Sequence, residues 1–348
     1  MKSARCLASL FGAAIILFMC RPTAEAQRAQ IQARTGDPYQ GAILLSADGE
    51  VLFEDKADAP GYPASMVKMM NLLLILEGVD RGAWKLQDPV VITAESAGMG
   101  GSQVFLKEGE MFPIEELLYA MMIQSANDAA VALALKVAGT KEGFVDLMNR
   151  RAAELGMRST RFHSVHGLPP AEGQEPDVTT ARDMARLCLA LLRRTDALPY
   201  TSTVKRPFRP EAPEPFIMET HNRLLKTFEG CDGLKTGYFK LGGYSMAVTV
   251  RRGDARVIAV ILGSLNREVR DAKARELLSQ GLAELARRPP PAPPRPAETA
   301  VVEQSAVPPA EKAPPPSSGR AWKWGLAGLA ILSVVVLAIW SRRPRFNR

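Results

Sequence analysis

The hydrophobic pattern predicts a β-hairpin at each end of the central part of the chain. In both places two short apolar runs flank an Asp-Gly or Gly-Asp pair, and such pairs favour tight turns between antiparallel strands. The predicted strands are 41–45 and 51–53 around Asp48-Gly49, and 244–251 and 256–262 around Gly253-Asp254. Between the hairpins, longer apolar runs such as 66–78 predict mostly helix.

This order of elements predicts the fold class. Strands at both ends of a domain with helices between them favour one antiparallel sheet, built from the first and last parts of the domain and flanked by helices. The expected class is α/β in the mixed, α+β sense, with the helical middle as a subdomain. A normal globular composition extends to about residue 288, so we expect one domain over 38–287.

The first 26 residues have the pattern of a cleaved secretory signal. Two basic residues precede an apolar run over 7–20, and a small-x-small cleavage site ends at Ala26. We expect cleavage there, which leaves 27–37 as a short leader. The run is short for an uncleaved membrane helix, and the bulky residues ahead of Cys20 disfavour a lipoprotein.

A Pro- and Ala-rich segment, 288–320, follows the domain and is typical of an extended linker. Residues 321–341 contain a run of 17 uncharged residues with tryptophan at each edge, which predicts a transmembrane helix, although a buried core helix is the alternative. The basic tail 342–348 is then cytoplasmic by the positive-inside rule. We therefore expect the domain outside the inner membrane, in the periplasm, held by one C-terminal span.

The formal net charge of +7 does not indicate a nucleic-acid partner. Three basic residues less one acidic residue in 1–26, and four arginines in 342–348, supply six of the seven charges. The exported part is near neutral, so no basic groove for nucleic acid is predicted. Only Cys188 and Cys231 remain after cleavage, which permits a disulfide without indicating one, and Cys188 is expected in the core.

Three short motifs in one order predict a serine acyl-transfer site that uses lysine in place of histidine. The motifs are Ser65-Met66-Val67-Lys68, Ser125-Ala126-Asn127 and Lys235-Thr236-Gly237. Each of the first two patterns arises roughly once by chance in a chain of this length, whereas Lys-Thr-Gly is about tenfold rarer. All three in this order are therefore a strong indication.

Ser65 precedes the apolar run 66–78, which predicts a serine hydroxyl in the first turn of a buried helix. Lys68, three residues later, projects from the same face, and its amine can take the serine proton where burial keeps it partly neutral. The alternative is an N-cap serine and a solvated lysine. A lysine in so apolar a helix has little surface to reach.

Ser125 and Asn127 lie between two apolar helical runs, 117–122 and 129–132. This spacing predicts a helix–turn–helix join that presents both polar side chains at one edge, where a serine can relay a proton and an asparagine can hold an amide. An ordinary helix cap is the alternative.

The motif at 235–237 leads into the last predicted hairpin. That position is consistent with a strand edge along which an extended peptide substrate lies. Gly237, which has no side chain, would let the substrate approach closely.

The motifs and their surroundings resemble the serine D-alanyl-D-alanine carboxypeptidases, the low-molecular-mass penicillin-binding proteins. The likeness covers about 38–281 and includes 125–130, 144–149, 153–157, 166–168 and 232–238. It implies the penicillin-recognising serine transferase fold and makes 38–287 the catalytic domain of a serine D-Ala-D-Ala carboxypeptidase. It implies no cofactor and no metal.

By this resemblance Ser65 would attack the carbonyl of the penultimate D-alanine of a peptidoglycan stem pentapeptide, with Lys68 as general base. Free D-alanine would leave with a proton passed on by Ser125, and water would release the shortened peptide. Backbone N–H groups of Ser65 and Tyr238 would form the oxyanion hole, and β-lactams would acylate the same serine.

The family also implies how the substrate is held. The implied substrate-binding residues are Asn127, Lys235, Thr236, Gly237, Tyr238 and Arg270. Among these, Lys235 with Thr236 would hold the terminal carboxylate, and Arg270 would lie near it. An arginine on the surface of a helix is the alternative for Arg270.

The sequence departs from the family pattern in two respects. Phe239 stands where the family usually has threonine, which removes a hydroxyl near the carboxylate end and predicts an altered preference or rate. The linker begins soon after the last helix, so the chain resembles the single-domain members rather than those with an additional β-rich domain.

Four other functions use some of the same residue types. A class A β-lactamase needs a Glu-x-x-Leu-Asn loop that 128–235 does not supply. A zinc peptidase would need an acidic partner for His163, His166 and His221 at a recognised spacing. An endopeptidase that cleaves peptidoglycan cross-links would use the same residues and stays open, as does a catalytically idle wall-binding homologue. The sequence predicts no oligomeric state.

Overall fold

The computed structural model describes residues 38–288, all within the unit Met1–Pro290. The predicted signal, leader, membrane span and basic tail lie outside these residues, as does the predicted linker beyond residue 288. Between residues 38 and 288, no helix combines the length and apolarity needed to cross a bilayer.

One five-stranded antiparallel sheet and two small two-stranded sheets make up the β-structure of the described residues. The large sheet has the order β2-β1-β9-β8-β7, and the small sheets pair β3 with β4 and β5 with β6. The strands are β1 (Gly41–Ser46), β2 (Val51–Asp55), β3 (Pro89–Val91), β4 (Met111–Pro113), β5 (Lys205–Phe208), β6 (Phe216–Glu219), β7 (Cys231–Phe239), β8 (Gly243–Arg252) and β9 (Ala255–Ser264).

Both predicted hairpins form, and they join in one sheet because β1 pairs with β9. Gly49 and Gly253 turn the chain with φ of +89° and +58°, in the region that glycine adopts without steric cost. The prediction of an antiparallel sheet built from the first and last parts of the domain is confirmed. The two small sheets were not predicted, since each is formed by strands of only three or four residues.

Helices are the main regular structure between the two hairpins, and a long one follows β9. They are α1 (Lys68–Asp80), α2 (Ala94–Ala97), α3 (Ile114–Tyr119), α4 (Asn127–Ala138), α5 (Lys141–Glu154), α6 (Ala181–Leu192), α7 (Leu198–Ser202), α8 (Leu224–Thr227) and α9 (Arg267–Arg287), with 3-10 turns at Ala64–Val67 and Thr195–Ala197 and a π turn at Ala120–Gln124.

The sheet is buried on both faces because successive side chains of a strand point to opposite sides. Ile43 and Leu45 belong to the larger apolar core, which they share with the central helix α1. Ala42 and Leu44 belong to a second core, between the sheet and α9. Helix α1 is buried at every position from 68 to 76, as expected for a helix that is apolar all round.

Cys188 is buried in α6, as predicted, and burial raises the pKa of its thiol. Cys188 and Cys231 are both free thiols.

Candidate active site

Side chains from all three motifs meet in one cavity of about 430 Å³ at the edge of the large sheet. Strand β7 supplies one wall, the turn that precedes α1 supplies another, and the join between α3 and α4 supplies a third. The lining residues are Ser65, Ser102, Ser125, Glu219, Thr220, His221, Arg223, Lys226, Thr236, Gly237, Tyr238, Tyr244, Arg267 and Arg270.

Ser65 and Lys68 lie together as their spacing predicts. The Nζ atom of Lys68 is 3.1 Å from the Oγ atom of Ser65. Ser65 lies in the 3-10 turn Ala64–Val67 rather than in the first turn of an α-helix, and Lys68 begins α1. Lys68 has no exposed surface, so the alternative of a solvated lysine is wrong.

Two further oxygens hold the amine of Lys68 in place. Its Nζ atom donates to Oδ1 of Asn127 and to the backbone oxygen of His166, each at 2.7 Å. Asn127 is itself fixed, because its Nδ2 donates to the backbone oxygen of Gly100 at 2.7 Å. Neither of these contacts is a carboxylate, and the charges of Asp177 and Asp128, which favour the protonated amine, act without a direct hydrogen bond to it.

The loop that presents the His166 oxygen is braced by a buried carboxylate. Oδ1 of Asp177 accepts from the N–H groups of His163 and Ser164, at 2.6 and 2.9 Å, and its Oδ2 accepts from the Ser164 hydroxyl at 2.6 Å. The same hydroxyl oxygen accepts from the N–H of Gly167 at 2.8 Å. Asp177 was not among the predicted site residues, since its effect passes through backbone groups that leave no motif.

Gly167 explains why the resemblance extended to 166–168. Its backbone lies so close to the nucleophile turn that an added Cβ would be 2.1 Å from the Ala64 oxygen and 2.9 Å from the Ser65 nitrogen. Gly167 also has φ of +76°. A side chain at this position would therefore displace the turn that carries Ser65.

Ser125 and Lys235 form a second serine–lysine pair. Nζ of Lys235 is 3.0 Å from Oγ of Ser125 and also donates to the Thr236 oxygen at 3.1 Å. Ser125 follows the π turn and has φ of +63°, a left-handed conformation that is uncommon for a residue with a side chain. Such strain is frequent at functional sites. An ordinary helix cap, the alternative for Ser125, does not require this left-handed conformation.

Burial lowers the pKa of both lysines. Desolvation first, and then the positive charge of Lys235, hold the pKa of Lys68 well below its usual range. Desolvation, followed by the charge of Arg270, lowers the pKa of Lys235 to about 7. Both amines can therefore be neutral near physiological pH, which is the state in which an amine accepts a proton.

Strand β7 is an edge strand, as predicted from its motif. The close approach at Gly237, however, is made by the chain itself. A Cβ at Gly237 would lie 2.4 Å from the Pro63 oxygen and 3.1 Å from Cβ of Ala64. This glycine is therefore required for packing β7 against the turn that carries Ser65, a reason that differs from the predicted contact with substrate.

Arg270 is buried in the first turn of α9, with 2% of its surface exposed, so the alternative of a surface arginine is wrong. Its guanidinium lines the cavity and is oriented by Asp271, whose Oδ1 accepts from Nε at 2.9 Å. Burial lowers the pKa of Arg270 from its ordinary, very high value, and the group stays a cation at neutral pH. Thr236 lines the same cavity.

The two aromatic residues after Gly237 differ in position. Tyr238 lines the cavity, is half exposed and stacks on Tyr244 with ring centroids 4.2 Å apart. Phe239 does not line it and packs against Tyr62, with ring centroids 5.3 Å apart. The predicted loss of a hydroxyl near the carboxylate end therefore falls on a side chain that is outside the cavity wall.

Asp128 is a second buried carboxylate that the motif search did not select. Its Oδ2 accepts from the N–H groups of Val104 and Leu106, both at 3.1 Å, and thereby ties the loop before β4 to the start of α4. Asp128 thereby helps to fix the backbone of its neighbour Asn127, whose side chain is held by its own hydrogen bonds. Between residues 38 and 288, no group of three or more His, Cys, Asp and Glu side chains is arranged to hold a metal ion.

Comparison with known proteins identifies the family. The model of the D-alanyl-D-alanine carboxypeptidase family matches residues 25–266. The chain is 35% identical over 251 residues to the D-alanyl-D-alanine carboxypeptidase DacF of Bacillus subtilis, covering 72% of this chain and 64% of that protein. It is also 35% identical over 282 residues to DacC of Escherichia coli, covering 79% and 68%.

Among solved structures, a penicillin-binding protein from Listeria monocytogenes in its ampicillin-bound form superposes with a TM-score of 0.63 at 29% identity. The match covers 70% of this chain and 97% of that one. The matched region amounts to less than two thirds of the Bacillus relative's length. The chain belongs to the D-alanyl-D-alanine carboxypeptidase family and has the penicillin-binding serine transferase fold.

Proposed function

We propose that this chain is a penicillin-sensitive serine D-alanyl-D-alanine carboxypeptidase that removes the terminal D-alanine from peptidoglycan stem pentapeptides. The observation that carries the proposal is the contact of 3.1 Å between Ser65 Oγ and the amine of the fully buried Lys68. Two relatives named D-alanyl-D-alanine carboxypeptidases and a solved relative with bound ampicillin support it.

In this proposal Ser65 is the nucleophile and Lys68 the general base. The Oγ atom attacks the carbonyl carbon of the penultimate D-alanine as neutral Lys68 takes its proton. Backbone N–H groups of Ser65 and Tyr238 would stabilise the negative charge that develops on the carbonyl oxygen. Asn127 holds Lys68 toward Ser65 through its Oδ1 atom, in addition to the contact with the substrate backbone that we propose for it.

The leaving group departs on the side of Ser125. The amide C–N bond breaks, and the amine takes a proton from Ser125 Oγ, which Lys235 replaces across 3.0 Å. In deacylation, water attacks the acyl-enzyme and gives its proton to the now neutral Lys235 through Ser125. Lys68 returns its proton to Ser65, so both amines regain their starting states.

The terminal carboxylate of the substrate would bind Arg270, Lys235 and Thr236. A guanidinium and an ammonium in a cavity shielded from solvent suit a carboxylate better than exposed cations do, because water screens the interaction less. Arg270 is oriented by Asp271 before any substrate arrives, which reduces the entropy lost on binding.

A covalent penicillin adduct tests the nucleophile. We expect fluorescent penicillin to label the full-length protein, and the adduct to be found on the peptide that contains Ser65. The Ser65→Ala variant should stay unlabelled while it unfolds at the same temperature as the wild type. Label that persists on this variant would contradict the assignment.

We also propose that the protein is anchored in the inner membrane with its catalytic domain outside the cytoplasm. The proposal rests on the sequence of the predicted signal 1–26 and the predicted span 321–341. A reporter that is active only outside the cytoplasm should work when fused at residue 287 and fail at residue 348. Equal activity of the two fusions would contradict this topology.

An endopeptidase that cleaves cross-links remains the second candidate. It is favoured by the size of the cavity, about 430 Å³, which exceeds what a single departing D-alanine fills. The idle wall-binding homologue rested on Phe239 alone, and that residue does not line the cavity.

A further inference from the structure

The part of the cavity beyond the catalytic groups carries more positive charge than one substrate carboxylate needs. Four cationic side chains line the cavity, namely Arg223, Lys226, Arg267 and Arg270. Glu219 is the one acidic side chain in that lining, and it is neutralised by ion pairs with Lys226 and with Lys205. Arg270 is paired with Asp271, so the excess positive charge of the lining belongs to Arg223 and Arg267.

Arg270 and Arg267 have different environments although they lie one turn apart on the same face of α9. Arg270 is buried and paired with Asp271, which suits the α-carboxylate that the proposed function assigns to it. Arg267 is exposed, and no acidic group between residues 38 and 288 forms an ion pair or hydrogen bond with it.

Arg223 faces the same cavity from the residue that precedes α8. Its nearest acidic partner is Glu268, at 3.8 Å, and the two side chains are 56% and 76% exposed. An ion pair this long and this exposed contributes little, so Arg223 is available to an anionic ligand. Arg223 and Arg267 are thus two weakly engaged cations that line the same cavity, and both lie close enough to Arg270 for their charges to act on it.

We propose that Arg223 and Arg267 form a second anion subsite, which binds a side-chain carboxylate of the residue that leaves during acyl transfer. The proposal rests on the proposed function and extends its substrate class beyond D-alanine as the leaving residue. The subsite favours a leaving D-amino acid with an acidic side chain, or a peptide whose departing amine belongs to a residue with two carboxylates, over an uncharged leaving residue of similar size. The chemistry is unchanged: the Ser65–acyl bond forms, the amide C–N bond breaks, and the amine leaves with the one proton that Ser125 supplies.

The test uses three acyl peptides that differ in the last residue, D-Ala-D-Ala, D-Ala-D-Glu and D-Ala-D-Gln. Glutamate and glutamine differ in charge and hardly in size, so the ratio of kcat/KM for the two peptides measures the effect of the side-chain carboxylate alone. We expect kcat/KM for the D-Glu peptide to exceed that for the D-Gln peptide about 5- to 10-fold at low salt. The ratio should fall as the salt concentration rises.

Single substitutions test which side chain causes the preference for the D-Glu peptide. Arg267→Gln should reduce the D-Glu to D-Gln ratio to about 2 or less. The matched control is Arg158→Gln, because Arg158 is exposed and lies outside the cavity lining, and it should keep the wild-type ratio. The subsite would be overturned if the D-Glu to D-Gln ratio were near 1 in the wild type, or if Arg267→Gln kept the ratio of the wild type. Cleavage of the D-Ala-D-Ala peptide in the same experiment would still support the carboxypeptidase. Cleavage of none of the three peptides would overturn both.

Discussion

The amine of Lys235 lies 3.0 Å from the hydroxyl of Ser125, a contact that parallels the 3.1 Å separation of Lys68 and Ser65. The site thus contains two serine–lysine pairs, in which Lys68, Ser125 and Lys235 are buried and Ser65 is partly exposed. The charge of Lys235 helps to lower the pKa of Lys68. Protonation of one amine therefore favours the neutral form of the other, and the two pairs can exchange roles during acylation and deacylation.

The first prediction concerns the stability cost of Lys235. Its folded pKa of about 7 lies below the ordinary lysine pKa of 10.5, so the folded protein binds fewer protons than the unfolded chain between these pH values. The cost of burying the amine is therefore full below about pH 7 and disappears above about pH 10.5. Lys235→Met should raise the free energy of unfolding at pH 7 by about 1–3 kcal/mol and abolish turnover.

Urea unfolding at pH 7 and pH 10 measures this effect. The gain from Lys235→Met should be much smaller at pH 10, whereas the exposed Lys240→Met should change stability little at either pH. An equal gain at both pH values would mean that the pKa of Lys235 is not lowered by folding.

Gly167 and Gly173 provide a matched pair for the packing of the nucleophile turn. Both have positive φ, +76° and +77°, but a Cβ at Gly167 would strike Ala64 whereas one at Gly173 would have no atom within 4 Å. Gly173→Ala should cost about 1 kcal/mol from its backbone alone. Gly167→Ala should cost about 3 kcal/mol or more and slow acylation of Ser65 by penicillin at least about 100-fold.

Thermal unfolding and the second-order rate of penicillin acylation check both variants. If Gly167→Ala acylates at the wild-type rate, the turn at Ser65 does not depend on the contact with Gly167.

Replacing Arg270 should slow cleavage of the peptide more than it slows acylation by penicillin. Removing a buried guanidinium that binds the substrate carboxylate should lower kcat/KM for a D-Ala-D-Ala peptide about 30- to 100-fold, because hydrogen bonds to charged groups are strong. For Arg270→Ala we expect a clearly smaller loss in the rate of penicillin acylation. An unchanged kcat/KM for the peptide in Arg270→Ala would contradict a role in holding the substrate carboxylate.

Phe239 should act on stability rather than on catalysis. Phe239→Thr restores the residue usual in the family but removes the ring that packs on Tyr62. We expect a loss of about 1–3 kcal/mol in stability and a change in kcat/KM of less than about threefold. A change of tenfold or more in kcat/KM, with the fold intact, would show that residue 239 influences the substrate site.

Local patterns predicted the parts of the site that depend on short spacing. Ser65 and Lys68 are three residues apart, and the apolar residues around Lys68 made its burial predictable. The hairpins at both ends of the domain followed from turn chemistry and alternation. The contact between Lys235 and Ser125, which are 110 residues apart, follows from no local pattern, since the motifs and the family resemblance predicted only that both residues belong to one site.

Backbone features account for most of what the sequence did not predict. The oxygen that accepts from Lys68 belongs to the main chain of His166, and Asp177 supports it through N–H groups. Every residue has such groups, so no residue type marks their use. The left-handed conformations of Ala64 and Ser125 are likewise imposed by tertiary packing, since neither residue type favours them.

The release of D-alanine by the full-length protein, from a peptide that ends in D-Ala-D-Ala, tests the central claim most directly. The assay should be run with and without penicillin and repeated with Ser65→Ala. We predict release by the wild type that penicillin stops and that the variant lacks. No release by the folded wild type, or release that continues after Ser65 is removed, would contradict a serine carboxypeptidase built on Ser65 and Lys68.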